Sequence, residues 1–161
     1  MFLEQGAKVS AHYNRIYETL GPLVSKYGQN IRTCSADLAT EGDVTRMFDD
    51  ISKDPEFGPV QVLIVNHGIW PTNDAPVFKM SLAQWNNTLN VNLTASFLVI
   101  REYLRRLGQS DVTDDVRRKA AVVLVGSTAG KYGEAGHADY AASKSGELQA
   151  NRVMRTRLNI Q

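Results

Sequence analysis

Three residues in the last third of the chain have the types and spacing of a proton-transfer site. Tyr140 and Lys144 lie four residues apart, and Ser127 precedes the tyrosine by thirteen positions. If residues 139–144 are helical, positions i and i+4 share one face, so the lysine ammonium would lie near the tyrosine phenol. A nearby positive charge stabilises a phenolate, which makes a tyrosine a better proton donor to a carbonyl oxygen near neutral pH. The alternative is a tyrosine and a lysine on an ordinary surface helix.

The surrounding segments favour the chemical interpretation. Residues 121–125 form a short apolar run, rich in β-branched side chains, which predicts a buried strand. Ser127 lies in the following glycine-containing turn, at the carboxyl end of that strand, where open α/β sheets bind ligands. There it is expected to hydrogen-bond the oxygen that the tyrosine protonates; Thr128 is the alternative hydroxyl. The helix predicted to carry Tyr140 comes after a further loop.

Two of these segments carry a family resemblance. Residues 124–130, with the serine, and residues 140–144 resemble the serine and Y-x-x-x-K motifs of short-chain dehydrogenases/reductases. Residues 62–69 are similar to the N-N-A-G strand end of that family. Val65 stands where the first asparagine is usual and His67 replaces the alanine, so the cofactor wall departs from the pattern there.

Two more motifs extend the resemblance over nearly the whole chain. Residues 89–93 resemble the mid-helix asparagine motif, and residues 36–38 resemble the aspartate that contacts the adenine ring. At Asn92 the resemblance implies a local break in a long helix and a water held between Asn92 and Lys144 as a proton relay. The alternative is a tolerated polar residue on that helix.

The resemblance implies roles for the remaining residues. Tyr140 would be the general acid/base, Lys144 would also hydrogen-bond the nicotinamide ribose, and Ser127 would polarise the substrate carbonyl. The reaction would be hydride transfer between a nicotinamide cofactor and a small-molecule carbonyl/alcohol pair, as in a 3-oxoacyl-carrier-protein reductase or a similar broad member. The cofactor-binding residues it indicates are Asn14, Arg15, Asp37, Leu38, Asn66, Gly68, Tyr140 and Lys144.

The end of the first predicted strand favours NADP(H) over NAD(H). A carboxylate there would bind the ribose hydroxyls of NAD and repel a 2′-phosphate. Residues 13–15 offer no acid and one cation, Arg15. NAD(H) stays open as the second choice, and a solvated loop arginine is the alternative interpretation. For Asp37 the alternative is a turn or helix-capping aspartate.

Composition excludes several other classes. The net charge is +1 with 22% charged residues, so no nucleic-acid footprint is indicated. No apolar run approaches 18 residues, so no membrane span is expected. The single cysteine, Cys34, predicts a buried thiol in a reducing, cytoplasmic setting. The three histidines lack metal-ligand spacing, and residues 126–131 fail the P-loop pattern, which needs four residues between its glycines.

The alternation of strands and helices predicts an α/β fold, a Rossmann-like doubly wound parallel sheet covered on both faces, in one domain over residues 1–161. Strands are predicted at residues 8–13, 31–36, 60–66 and 122–125. Helices are predicted at residues 15–27 (kinked near Gly21-Pro22), 40–53, 81–107 and 138–158, with a polar loop at 108–115.

The family pattern is incomplete in this sequence. The family places a strand and a glycine-rich phosphate loop before residue 8, and two further strands after the tyrosine helix. None of the 12 glycines forms such a loop. We therefore expect a partial domain that binds NADPH poorly by itself. The competing hypotheses are an inactive fragment and a dimerising interaction module, since in the family the two long helices pack in a homodimer or homotetramer.

Overall fold

Four short strands form two parallel pairs. The computed structural model describes the backbone of residues 1–157 and the side chains of residues 1–150. Strand β1 (Val9–Tyr13) pairs with β2 (Ile31–Ser35), and β3 (Val62–Val65) pairs with β4 (Ala121–Leu124). Because both pairs are parallel, the two strands of each pair end at the same edge. The observed strand bounds lie within two residues of those predicted from the sequence, so the predicted strand positions are confirmed.

Seven α-helices are present in the described residues, and they follow or separate the strands as the predicted alternation requires. They are α1 (Gly21–Tyr27), α2 (Glu41–Ser52), α3 (Leu82–Leu89), α4 (Ala95–Leu107), α5 (Asp114–Lys119), α6 (Ala129–Tyr132) and α7 (Ala138–Arg157). The predicted last residue of the final helix, Leu158, lies outside the described residues. None of the described helices is both long and apolar enough to cross a bilayer.

Two helix predictions need correction. The helix predicted from residue 15 begins only at Gly21, after a 3₁₀ turn at Glu18–Leu20. Pro22 therefore lies in its first turn, where the missing N–H costs nothing, and does not kink a longer helix. The polar loop predicted at residues 108–115 ends earlier than expected, because α5 begins at Asp114, where its Thr113 cap accepts a hydrogen bond from the Val116 N–H at 3.4 Å.

The long helix predicted over residues 81–107 is interrupted as expected. Its start is capped by Ser81, whose Oγ accepts a hydrogen bond from the Gln84 N–H at 3.1 Å. Between α3 and α4 the backbone widens into a π-helix at Asn90–Thr94. Such π-turns occur mostly as short insertions within α-helices and are frequent at functional sites. The predicted local break at Asn92 is thus confirmed.

The main core lies on one side of the strands. Helices α2 and α4 pack there through Val44, Phe48, Val99 and Tyr103, which are at most 4% exposed. The opposite face of β3 is open among the described residues, because its outward side chains Val62 and Ile64 stay 42% and 46% exposed. The continuous apolar sequence of β3 predicted that both faces of the strand would be buried. In the described residues only one face of β3 is covered.

Helix α7 approaches its neighbours through two glycines. A Cβ at Gly130, in α6, would lie 2.7 Å from the backbone carbonyl of Lys144. A Cβ at Gly146 would lie 2.9 Å from the Leu93 side chain in the π-helix. The absence of side chains at both positions lets α7 lie close to the segments that complete the site.

Gly130→Ala is expected to lower the free energy of unfolding by about 1–3 kcal/mol, since the new methyl group meets rigid backbone and not a flexible side chain. Urea denaturation measures the change. The matched control is Gly42→Ala in α2, where an added Cβ meets nothing within 4 Å. That control is expected to gain up to about 1 kcal/mol from helix propensity. Equal effects of the two substitutions would contradict the packing argument.

Candidate active site

A cavity of about 200 Å³ opens where β3 and β4 end against α7. Tyr140 and Lys144 both line it, as do Asn66 and Gly68 from the end of β3. The remaining lining residues are His67, Ile69, Trp70, Val125 and Gly126. The structure thus brings together four of the residues singled out from the sequence.

A buried carboxylate fixes the start of the tyrosine helix. Asp139 is fully buried, and its Oδ2 accepts hydrogen bonds from Thr88 Oγ1 at 2.8 Å and Gln84 Nε2 at 3.2 Å. Its Oδ1 accepts the Tyr140 N–H at 2.9 Å. These bonds connect α3 with the first turn of α7, where negative charge is favoured by the helix dipole. They therefore position the backbone that carries Tyr140.

An indole ring flanks the tyrosine and itself packs against a histidine ring. The ring of Trp70 meets Tyr140 edge-on, with centroids 4.5 Å apart, and lies 4.1 Å from the ring of His137. His137 is 4% exposed and its Nε2 lies 2.9 Å from Asp74 Oδ1. Trp70 therefore forms an apolar wall beside the phenol, and 49% of its own surface remains exposed.

The lysine lies on the same face of α7 as the tyrosine, one turn later, as the spacing predicts. Lys144 is 6% exposed. Its Nζ donates to Glu147 Oε2 at 2.7 Å and to the Val125 carbonyl at 3.4 Å. A Cβ placed on Gly68 would lie 3.8 Å from this Nζ, so the end of β3 comes close to the ammonium.

Asn92 is buried and fully hydrogen-bonded. Its Oδ1 accepts the Ile69 N–H at 2.8 Å, and its Nδ2 donates to the Ile69 carbonyl at 3.0 Å and to Ser143 Oγ at 3.2 Å. The side chain therefore holds the loop after β3 against α7. The Asn92 backbone carbonyl accepts a hydrogen bond from Ser96 Oγ at 2.7 Å. The relay water implied by the resemblance stays a prediction.

Ser127 follows the lining residue Gly126 but does not itself line the cavity. Its Oγ accepts the Ala129 N–H at 3.2 Å, at the start of the short helix α6. The hydroxyl keeps its own proton for donation. Its catalytic role stays a prediction.

The predicted residues for the adenosine end lie at the ends of β1 and β2. Asn14 and Arg15 are exposed in the turn after β1. Asp37 is exposed, but its Oδ1 accepts the Ala39 N–H at 3.0 Å, which is the turn contact named as the alternative. Leu38 is 8% exposed and its side chain belongs to the core, so only its backbone is available to a ligand.

His67 lies beside the lysine but is kept neutral. Burial lowers the pKa of His67 to about 4, and the positive charge of Lys144 acts in the same direction. Its Nε2 is buried without a hydrogen-bond partner. An imidazole that is neutral at physiological pH adds no charge to the cavity.

The single thiol, that of Cys34, is chemically unreactive at neutral pH. Burial raises the pKa of Cys34 to about 11, so the reactive thiolate is scarce at neutral pH. In the part of the chain that the structure describes, no three His, Cys, Asp or Glu side chains cluster as metal ligands.

Comparison with known proteins identifies the family. The model of the short chain dehydrogenase family matches residues 1–160. The chain belongs to this family. A nodulation protein G from Rhizobium sp. (strain N33) is 32% identical over 144 residues, which is 89% of this chain and 54% of that protein. This short-chain dehydrogenase chain therefore spans about half the length of that relative.

Further similarities agree with the family and fold. The 3-oxoacyl-[acyl-carrier-protein] reductase FabG of Vibrio cholerae is 33% identical over 99 residues, covering 62% of this chain and 37% of that protein. The crystal structure of serine dehydrogenase from Escherichia coli superposes with a TM-score of 0.82 at 26% identity, covering 99% of this chain and 68% of that one. The predicted Rossmann-like fold is thereby confirmed.

Several residues of the site were not found from the sequence. Glu147 and Ser96 lie three and four residues after the predicted Lys144 and Asn92, so helical spacing offered a signal for both. The stacking of Trp70 and His137 depends on a contact between segments 67 residues apart, for which the sequence contains no periodic signal.

Acidification is expected to destabilise the fold partly through His67. The unfolded imidazole binds a proton below its ordinary pKa of about 6.5, whereas the native one does so only near pH 4. The free energy of unfolding should therefore fall as the pH drops through this window, by up to about 3 kcal/mol from this group. Urea denaturation of wild type and His67→Gln between pH 7.5 and 4 measures it. A variant with the same pH slope as wild type would contradict this assignment.

Proposed function

We propose that this chain supplies the catalytic part of an NADP(H)-dependent oxidoreductase that interconverts a carbonyl and an alcohol. The observation that carries the proposal is the shared cavity of Tyr140 and Lys144 at the carboxyl ends of β3 and β4. Membership of the short-chain dehydrogenase family supports the reaction type. The 3-oxoacyl reductase among the similar proteins supports a ketone as one substrate class.

In the direction of reduction, Tyr140 donates its phenolic proton to the carbonyl oxygen as the carbon receives a hydride. The Lys144 ammonium stabilises the resulting phenolate, because an opposite charge nearby favours the ionised form. Ser127, whose Oγ accepts the Ala129 N–H and retains its own proton, donates a hydrogen bond to the same oxygen. In oxidation these residues take the reverse roles.

The residues present fit a nicotinamide cofactor. The Tyr140 hydroxyl and the Lys144 ammonium are donors suited to ribose hydroxyls, and Gly68 and Gly126 leave the adjacent backbone accessible. At Gly126 an added Cβ would meet nothing within 4 Å, so there is open space for a flat ring to approach. When bound, the cofactor supplies or accepts the hydride, and the protein contributes orientation and charge.

Tyr140→Phe is expected to lower kcat for carbonyl reduction by about 10²–10⁴-fold, since it removes the proton donor and little volume. The measurement is NADPH oxidation with a 3-oxoacyl ester in the protein that carries this chain. Tyr132→Phe is the matched control, because Tyr132 is 74% exposed and lies outside the cavity lining. Full activity in Tyr140→Phe would refute the assignment.

Arg15→Glu is expected to lower the preference for NADPH over NADH by about tenfold or more, because a carboxylate repels the 2′-phosphate. The ratio of kcat/KM for the two cofactors measures it. Arg118→Glu on α5 makes the same charge change at a side chain that is 72% exposed, and should leave the ratio unchanged. An unchanged ratio in Arg15→Glu would assign the 2′-phosphate contact to other residues.

A further inference from the structure

A buried carboxylate faces the lysine of the site. Glu147 is 3% exposed and lies one turn after Lys144 on α7. Its Oε2 accepts the Lys144 Nζ–H at 2.7 Å. Ion pairs on protein surfaces are weak, but here both side chains are more than nine-tenths buried, where an unpaired charge is costly.

The other carboxylate oxygen is also bound. Glu147 Oε1 accepts a hydrogen bond from Ser96 Oγ at 2.6 Å, and the same hydroxyl lies 2.7 Å from the Asn92 carbonyl. The hydroxyl has one proton and donates it to one of these acceptors at a time. Protein atoms alone thus connect Lys144 through Glu147 and Ser96 to the π-helix at Asn92.

Other charges near the ammonium are few. Tyr140 shares its helix, and His67 approaches from the end of β3 but is neutral at physiological pH. The π-helix and the start of α4 present the uncharged Asn92 and Ser96. Among the described residues, Glu147 is therefore the carboxylate in direct contact with the ammonium.

We propose that Glu147 is a positioning residue for the reaction. It holds the Lys144 ammonium in the lining of the cavity through a buried ion pair, and Ser96 binds the other carboxylate oxygen. The proposal rests on the proposed function for its catalytic consequence. The pairing itself is independent of turnover and can be tested without it.

The consequence of losing the carboxylate has a definite sign. A buried lysine without a counter-ion releases its proton more readily, because desolvation disfavours the ammonium. The amide of Glu147→Gln retains the shape but not the charge. Lys144 should then lose its proton at a lower pH in this variant than in wild type.

The test is a pH titration of the chain labelled with ¹³C at lysine Cε, followed by NMR. The Lys144 resonance is identified by its absence in Lys144→Arg. The matched control is Glu102→Gln, which removes another buried carboxylate, 8% exposed and paired with Arg106 at 2.8 Å on α4. The Lys144 titration midpoint should fall in Glu147→Gln and stay at the wild-type pH in Glu102→Gln.

A second variant keeps the test possible if Glu147→Gln does not fold. Glu147→Asp keeps the charge but withdraws it by one methylene, so it should give a smaller shift in the same direction. Circular dichroism reports which variants fold. An unchanged Lys144 midpoint in whichever of the two variants folds, or an equal shift in Glu102→Gln, overturns the proposal.

Activity supplies the second readout. In the protein that carries this chain, Glu147→Gln should lower kcat for carbonyl reduction about tenfold or more, with little change in the KM of the carbonyl substrate, because the substrate does not touch Glu147. If neither wild type nor any variant turns over, but the Lys144 titration midpoint shifts in Glu147→Gln, then the proposed function fails and the pairing stands. Turnover with an unshifted Lys144 resonance rejects the pairing alone.

Discussion

The candidate site depends on one buried amide. Asn92 is fully buried, and its side chain makes three hydrogen bonds, two to the backbone of Ile69 and one to Ser143. These bonds join the π-helix, the loop after β3 and the second turn of α7. Leaving one buried hydrogen-bonding group unsatisfied costs about 1–3 kcal/mol. Moving any of the three segments away would break a bond to this amide and incur that cost. Two of these segments, the loop after β3 and α7, line the cavity together with the residues after β4.

The π-helix explains how an asparagine is accommodated in the middle of a long helix. In a regular α-helix a buried asparagine would compete with the backbone for hydrogen bonds. The wider turn at Asn90–Thr94 lets Asn92 point inward while its carbonyl accepts the Ser96 hydroxyl four residues later. The same hydroxyl reaches Glu147 and, through it, Lys144. Helix irregularity and the buried ion pair are thus parts of one polar network.

Sequence reasoning succeeded where the signal was local. The i, i+4 spacing placed Tyr140 and Lys144 on one face of a helix, and the apolar run before Ser127 placed the strand, because both periodicities are set by backbone geometry. Sequence reasoning failed for features that are determined by tertiary contacts. Burial of Glu147 depends on the π-helix and the first residues of α4 lying beside α7. The open face of β3 depends on which elements pack against a strand whose residues are apolar on both sides. Ser127 was placed correctly in the chain, but its hydrogen bond with the Ala129 N–H was not predicted.

The charges along α7 alternate, and their surroundings decide which of them acts on the phenol. Asp139 precedes Tyr140 directly, but its oxygens are bound by the hydroxyl of Thr88, the amide of Gln84 and a backbone N–H, and these contacts orient it toward α3. Lys144 is on the cavity side with the tyrosine. Three donors compensate the Asp139 carboxylate, whereas Lys144 shares the lining of the cavity with the phenol. Because Glu147 is the carboxylate bound to that ammonium, position 147 is where a substitution changes the charge balance of this cavity without removing Tyr140 or Lys144.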